Sequence, residues 1–110
     1  MAPILRRGEI WMCAFAAPNK RRPVLVLSRP QLLLERLHQV TVALITSTRR
    51  SVSLEVQIGP DEGLKHSCAV NLVNIYTVPR ADLRRYVGSL SPERMREVCR
   101  ALIRALGCDG

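Results

Sequence analysis

Aromatic side chains are scarce in this 110-residue chain, which holds only Trp11, Phe15, Tyr76 and Tyr86. A protein that binds single strands chiefly by stacking bases needs a platform of exposed rings, and these few do not favour one. The cysteines (Cys13, Cys68, Cys99, Cys108) form no CxxC pair, and neither His38 nor His66 adjoins one. A zinc site is therefore not expected, and reduced, mostly buried thiols are. No uncharged apolar run approaches the ~18–20 residues of a membrane span. The basic start Arg6-Arg7 is not followed by an apolar stretch ending in small residues, so neither a signal peptide nor a membrane partner is expected. Internal repeats and low-complexity segments are missing as well.

Acidic residues are also few, and unevenly so. Residues 1–50 carry nine Lys/Arg against Glu9 and Glu35, a balance of +7, while residues 51–110 balance to +1 within the total of +8. So lopsided a charge suggests a polyanionic partner: nucleic acid, a membrane surface or an acidic protein segment. A merely solvated basic surface is the plainer reading. At 47% hydrophobic and 24% charged, the sequence supports an ordinary core, and residues 1–110 are read as one domain.

Most of the chain reads as β-structure. Ile10–Phe15 is an apolar strand, and Pro23–Ser28 is a strand buried on both faces with its proline at the start, where a missing N–H is tolerated. Val40–Thr46 is β-branched, residues 53–58 alternate, Cys68–Val78 is a fifth strand and Arg85–Gly88 a short sixth. A helical turn is expected in 30–37. One segment is clearly helical: Ser91 as N-cap, Pro92 at the first position, then Met95, Val98, Cys99, Leu102, Ile103 and Leu106 as one apolar stripe, stopped by Gly107. The stripe is expected to pack on the sheet. Short strands followed by a terminal helix predict a mainly β fold, a small curved barrel with a C-terminal α-helix.

If strands 23–28 and 40–46 pair antiparallel, Arg22 and Thr46 meet at one rim. Lys20, Arg21, Ser47, Thr48, Arg49 and Arg50 then surround them, with opposed Cβ atoms about 4.5–5.5 Å apart. Arginine forks interleaved with hydroxyls suit phosphate oxygens. Two basic turns facing water would look the same in sequence.

Several stretches resemble the MazF/PemK toxins: Arg7-Gly8-Glu9-Ile10-Trp11, Arg22-Pro23-Val24-Leu25-Val26-Leu27-Ser28, Val42-Ala43-Leu44-Ile45-Thr46-Ser47, Leu54-Glu55-Val56 and Asn74-Ile75-Tyr76-Thr77-Val78, followed by the helix. They occur in that family's order from about residue 6 to 107. The resemblance implies an SH3-like barrel of the PemK/CcdB kind, a homodimer and a cytoplasmic setting. It implies the toxin of a type II toxin–antitoxin system, a sequence-specific endoribonuclease. Single-stranded RNA would be cut without metal or other cofactor to 2′,3′-cyclic phosphate and 5′-hydroxyl ends. Its cognate antitoxin would bring an acidic, disordered segment that folds over the active groove.

On that resemblance Arg22 and Thr46 are the catalytic pair. Lys20, Arg21, Ser47, Thr48, Arg49, Arg50, Asn71 and Asn74 would bind substrate. The chemistry agrees: metal-free cleavage uses the RNA's own 2′-hydroxyl, and charge gathers on the phosphorus oxygens. A guanidinium fork stabilises that charge but is a poor proton donor, and a threonine hydroxyl can hold the 2′-hydroxyl or a non-bridging oxygen.

The sequence departs from the family in two places. The loop Ala16 to Arg21 is shorter than in many members, so base preference is not carried over. Many relatives have Asp in the fifth strand, and some an Arg two residues earlier, where this chain has Val73 and Asn71. Valine cannot act as a base. His66, beside Lys65 on a turn, is read as a surface histidine without a role rather than a replacement, and His38 has less to recommend it. Two other readings stay open: a non-catalytic inhibitor of the gyrase-poison type, and a plain RNA-binding barrel.

Overall fold

The computed structural model describes residues 4–15, 20–30, 38–47 and 53–109. Six strands and a helix follow one another: β1 (Glu9–Ala14), β2 (Arg21–Val26), β3 (Gln39–Thr46), β4 (Glu55–Ile58), β5 (Cys68–Pro79), β6 (Leu83–Ser89) and α1 (Pro92–Leu106). Short 3-10 turns, η1 (Pro60–Glu62) and η2 (Arg80–Asp82), stand before β5 and β6. Residues 31–37 of the expected helical turn at 30–37 and most of the Ala16–Arg21 loop lie outside the described residues.

All six strands form one antiparallel sheet in the order β4-β5-β3-β2-β1-β6. The middle of that order is the most apolar part of the sequence. Leu25 and Leu27 join one buried cluster with Ile10, Ala43, Ile45 and the helix residues Val98 and Ala101. Val24 and Val26 join another with Cys13, Val40, Val42, Leu44 and Leu83. Alternation along β2 thus sends side chains into two cores, as its unbroken hydrophobic run predicts.

The expected barrel is only approximate, because no ladder joins β4 to β6 and the sheet is not closed. Curvature brings its two ends together instead. Beside β1, the register of β6 slips at Ile10/Trp11 and again at Met12/Cys13, and such irregularities increase local twist. The chain after β4 then meets β6 backbone to backbone. A Cβ on Gly88 would overlap the Glu62 carbonyl oxygen, and one on Gly63, held at φ 94°, would overlap that of Val87. Glycine permits both the close approach and the left-handed conformation.

The helix forms where its end signals stand. Ser91 Oγ accepts from the Arg94 amide at 3.2 Å, and Gly107 closes the last turn at φ 75°. Its buried face differs from the expected stripe: Val98 and Ala101 are buried and Met95, Leu102 and Ala105 pack beside them, whereas Ile103 and Leu106 stay 43% and 63% exposed. Arg104 donates to the Ser53 carbonyl (2.9 and 2.7 Å), and Arg7 bridges the Leu27 carbonyl and Cys99 Sγ.

Gly88→Ala is expected to destabilise the protein by about 1–3 kcal/mol in urea melts, against a change within about 0.5 kcal/mol for Ser89→Ala at the exposed next position. Burial, helped by Asp82 and opposed by Arg84, pushes the Cys13 thiol up to about 11 from 9.0. Above pH 9.0 the unfolded thiol ionises while the folded one does not. Stability from this group is therefore full below that pH and lost as pH rises toward about 11. On the order of 2–3 kcal/mol should disappear in that window, and Cys13→Ala should flatten that part of a melting-temperature profile.

Candidate functional site

β2 and β3 pair with Val24 opposite Leu44, Leu25 opposite Ala43 and Val26 opposite Val42. Continued two residues toward the start of β2, that register sets Arg22 against Thr46. Arg22 is also the partner of Cys13 in β1, and Thr46 that of Ala69 in β5, so the two stand in one row across four strands. β2 begins at Arg21, two residues earlier than its hydrophobic run suggests, and this places Arg22 on the sheet rather than on a loop.

Both side chains line a groove of about 740 Å³ at this end of the sheet. Ser47, Asn71 and Asn74 line it as well. Of the other positions singled out in the sequence, Lys20 and Arg21 are exposed and are not among the lining residues. Arg21 follows from strand alternation, which turns it to the face opposite Arg22. Thr48, Arg49 and Arg50 lie outside the described residues.

A break in the sheet brings the asparagines in. Along β3 and β5, Ala43 faces Ile75 but its neighbour Leu44 faces Asn71, so Leu72, Val73 and Asn74 are extra residues on β5. Asn71 is almost buried, and its Oδ1 accepts from the Val73 amide at 2.9 Å, tying the looped-out segment locally. The Leu72 amide donates to the Leu54 carbonyl at 3.1 Å. Val73 is thereby turned outward, 62% exposed and away from the groove, while Asn74 reaches the lining. Bulges commonly re-aim side chains in this way.

The rest of the lining comes from segments to which the sequence reading gave no site role. Lys65 and His66 arrive from the turn between β4 and β5, and Arg85 and Tyr86 from β6. His66 is exposed, as expected of a surface residue, but it stands on the groove wall. Its Nδ1 lies 3.1 Å from the Ser67 carbonyl. Met12 ties the β6 wall to the rim, pairing with Pro23 on one side and Arg85 on the other. Tyr86 stands edge-on to Trp11 with ring centroids 5.9 Å apart, and Trp11 Nε1 donates to Glu9 at 3.1 Å. Nothing local marks Arg85 or Tyr86, because their role depends on β6 pairing with β1 rather than with its sequence neighbour β5.

Among the described residues, the groove lining contains arginine, lysine, hydroxyl and amide groups but no carboxylate. This is a surface for anions, with forked donors for phosphate oxygens and amides for base edges. Cys68 also lines it, but burial pushes its thiol up from the ordinary value, which disfavours a thiolate nucleophile. No three His, Cys, Asp or Glu side chains converge among the described residues.

Known proteins share this architecture and sequence. The family described as PemK-like, MazF-like toxin of type II toxin-antitoxin system matches residues 6–106. The protein named probable endoribonuclease MazF2 of Mycobacterium tuberculosis is 40% identical over 105 residues, 94% of this chain and 100% of that protein. Among solved structures, the Mycobacterium tuberculosis toxin MazF-mt6 superposes with a TM-score of 0.81 at 32% identity, covering 90% of this chain and 96% of the other. An endoribonuclease in complex with its cognate antitoxin from a mycobacterial species superposes with a TM-score of 0.80 at 30% identity, covering 96% of each chain.

Asn71→Ala removes the acceptor of the Val73 amide and is expected to cost about 1–2 kcal/mol. In hydrogen exchange, the amides of residues 72–74 should be deprotected well before those of residues 40–43.

Proposed function

The chain belongs to the PemK-like, MazF-like toxin family of type II toxin–antitoxin systems, and we propose that it is the RNA-cleaving toxin of such a pair. The observation that carries this reading is that Arg22 and Thr46, on the paired antiparallel strands β2 and β3, line one groove together with other cations and amides. Residues 1–110 act as one toxin domain in the cytoplasm. A homodimer is the working unit, and single-stranded RNA is the substrate.

The reaction needs no group beyond RNA, protein and water. The 2′-hydroxyl attacks the adjacent phosphorus and the bond to the 5′-oxygen breaks, leaving a 2′,3′-cyclic phosphate and a 5′-hydroxyl. Negative charge grows on the non-bridging oxygens as the new bond forms. Arg22, whose backbone is fixed in the strand, meets that charge with a fork that matches two oxygens. Thr46 holds the 2′-hydroxyl or a non-bridging oxygen. Asn71 and Asn74 contact bases or sugars from the bulge, and Ser47 a phosphate. Lys20, Arg21, Thr48, Arg49 and Arg50 supply field and contacts along the RNA beyond the cleavage point.

The same cationic groove accounts for control. A cognate antitoxin with an acidic, disordered segment would lie along it and fold as it binds, excluding RNA by occupying the phosphate positions.

Arg22→Ala and Thr46→Ala should each lower cleavage of mixed-sequence RNA in excess EDTA by about 10²–10³-fold. Mapped ends should carry cyclic phosphate, and a 2′-deoxy residue at a cut should abolish it. Intact RNA with the native protein would overturn the enzyme reading. Undiminished cleavage by both variants would keep the enzyme and remove this site.

A further inference from the structure

Attack by a 2′-hydroxyl requires that its proton go somewhere, and neither Arg22 nor Thr46 is suited to take it. A guanidinium has no lone pair to offer, and an alcohol is a very weak base. The candidates among the described groove residues are few. Lys65 and Arg85 are cationic groups, Tyr86 is a phenol, and Asn71 and Asn74 are amides that do not exchange protons in this range. Carboxylates are missing from the described lining. Imidazole is the side chain that accepts and releases protons near neutral pH, and one is present.

Resting on the ribonuclease reading above, we propose that His66 is the general base that takes the 2′-hydroxyl proton. It lies in the turn that leads into β5, whose Ala69 is the strand partner of Thr46. The turn thus brings the imidazole into the groove that Thr46 and Arg22 also line. The ring is also oriented. A carbonyl oxygen only accepts, so in the tautomer protonated at Nδ1 the 3.1 Å contact with Ser67 is a hydrogen bond and the Nε2 lone pair is left for a base. Cys68 Sγ, which donates to the His66 carbonyl at 3.4 Å, lies 3.6 Å from Nδ1 on the same side of the ring. The charged and titratable groups sharing its wall are Lys65, Arg85, Tyr86, Cys68 and, across the groove, Arg22.

In the step itself, Nε2 takes the proton as the 2′-oxygen bonds to phosphorus. The bond from phosphorus to the 5′-oxygen breaks with its electron pair on that oxygen, which takes a proton from water. The resulting imidazolium returns its proton to solvent.

The test uses the full-length protein under single-turnover conditions, with an RNA oligonucleotide spanning a mapped cut. His66→Gln should cut 10²–10⁴-fold more slowly than native protein at neutral pH and bind the 2′-deoxy oligonucleotide equally well. The native rate should rise with pH on the acid side, and His66→Gln should lack that rise. In His66→Ala, added imidazole should restore part of the rate. A substrate with a 5′-bridging sulfur, whose leaving group needs no proton, should leave the His66→Gln defect in place. Rescue by that substrate would make His66 an acid and overturn the assignment. A His66→Gln rate and pH profile like the native ones would also overturn it while leaving the ribonuclease reading intact. Native protein that cuts no RNA would overturn both.

Discussion

The approach of Gly88 to the Glu62 carbonyl, and of Gly63 to that of Val87, is the constraint on which the rest of this protein depends. Hydrogen bonding alone makes an open six-stranded sheet with β4 and β6 at its margins. The contact between those margins turns the sheet into a near-closed shell. It also places Lys65 and His66, just beyond Gly63, and Arg85 and Tyr86, just before Gly88, along one side of the groove. The opposite side needs no such contact, because Arg22 and Thr46 are fixed by the most apolar pair of strands in the chain. The site is thus half built by core pairing and half by a glycine-lined seam.

The division has a chemical sense. The half on the central strands holds the guanidinium and the hydroxyl that the proposed reaction places at the phosphate, both on strands fixed by the core. The half at the seam holds a lysine, an arginine, a tyrosine and an imidazole on more exposed backbone, suited to following a flexible polyanion. Between them, the Asn71–Asn74 bulge breaks an otherwise continuous ladder and presents amides that a regular strand would have turned elsewhere.

Much of this was legible beforehand. The strands from β1 to β6 and the terminal helix stand within a few residues of their sequence signals, because alternation, β-branching, the Ser91 cap and the Gly107 stop act locally. The antiparallel pairing of β2 and β3 was legible too, as neighbouring strands with long hydrophobic runs have few other partners. Other features were read differently from the sequence. The helix buries Val98 and Ala101 and leaves Ile103 and Leu106 exposed, since the face that packs is decided by the sheet beneath it. The barrel stays unclosed by hydrogen bonds, because the chain after β4 meets β6 through the close approach of Glu62 and Gly88 and not through a ladder. His66, taken for an idle surface residue, stands on the groove wall.

By itself the sequence determined the class of the fold, the strands that carry Arg22 and Thr46, the excess of cations in its first half and the family it belongs to. These rest on local periodicity and on a few contiguous motifs, which a linear chain displays directly. Only the tertiary structure decided which cations face the groove, how Val73 leaves it while Asn74 enters, and that β6 and the turn before β5 furnish its far wall. Those outcomes depend on strand partners distant in sequence and on a three-residue slip in register. No local pattern encodes either, because both are settled by how a twisted sheet closes upon itself.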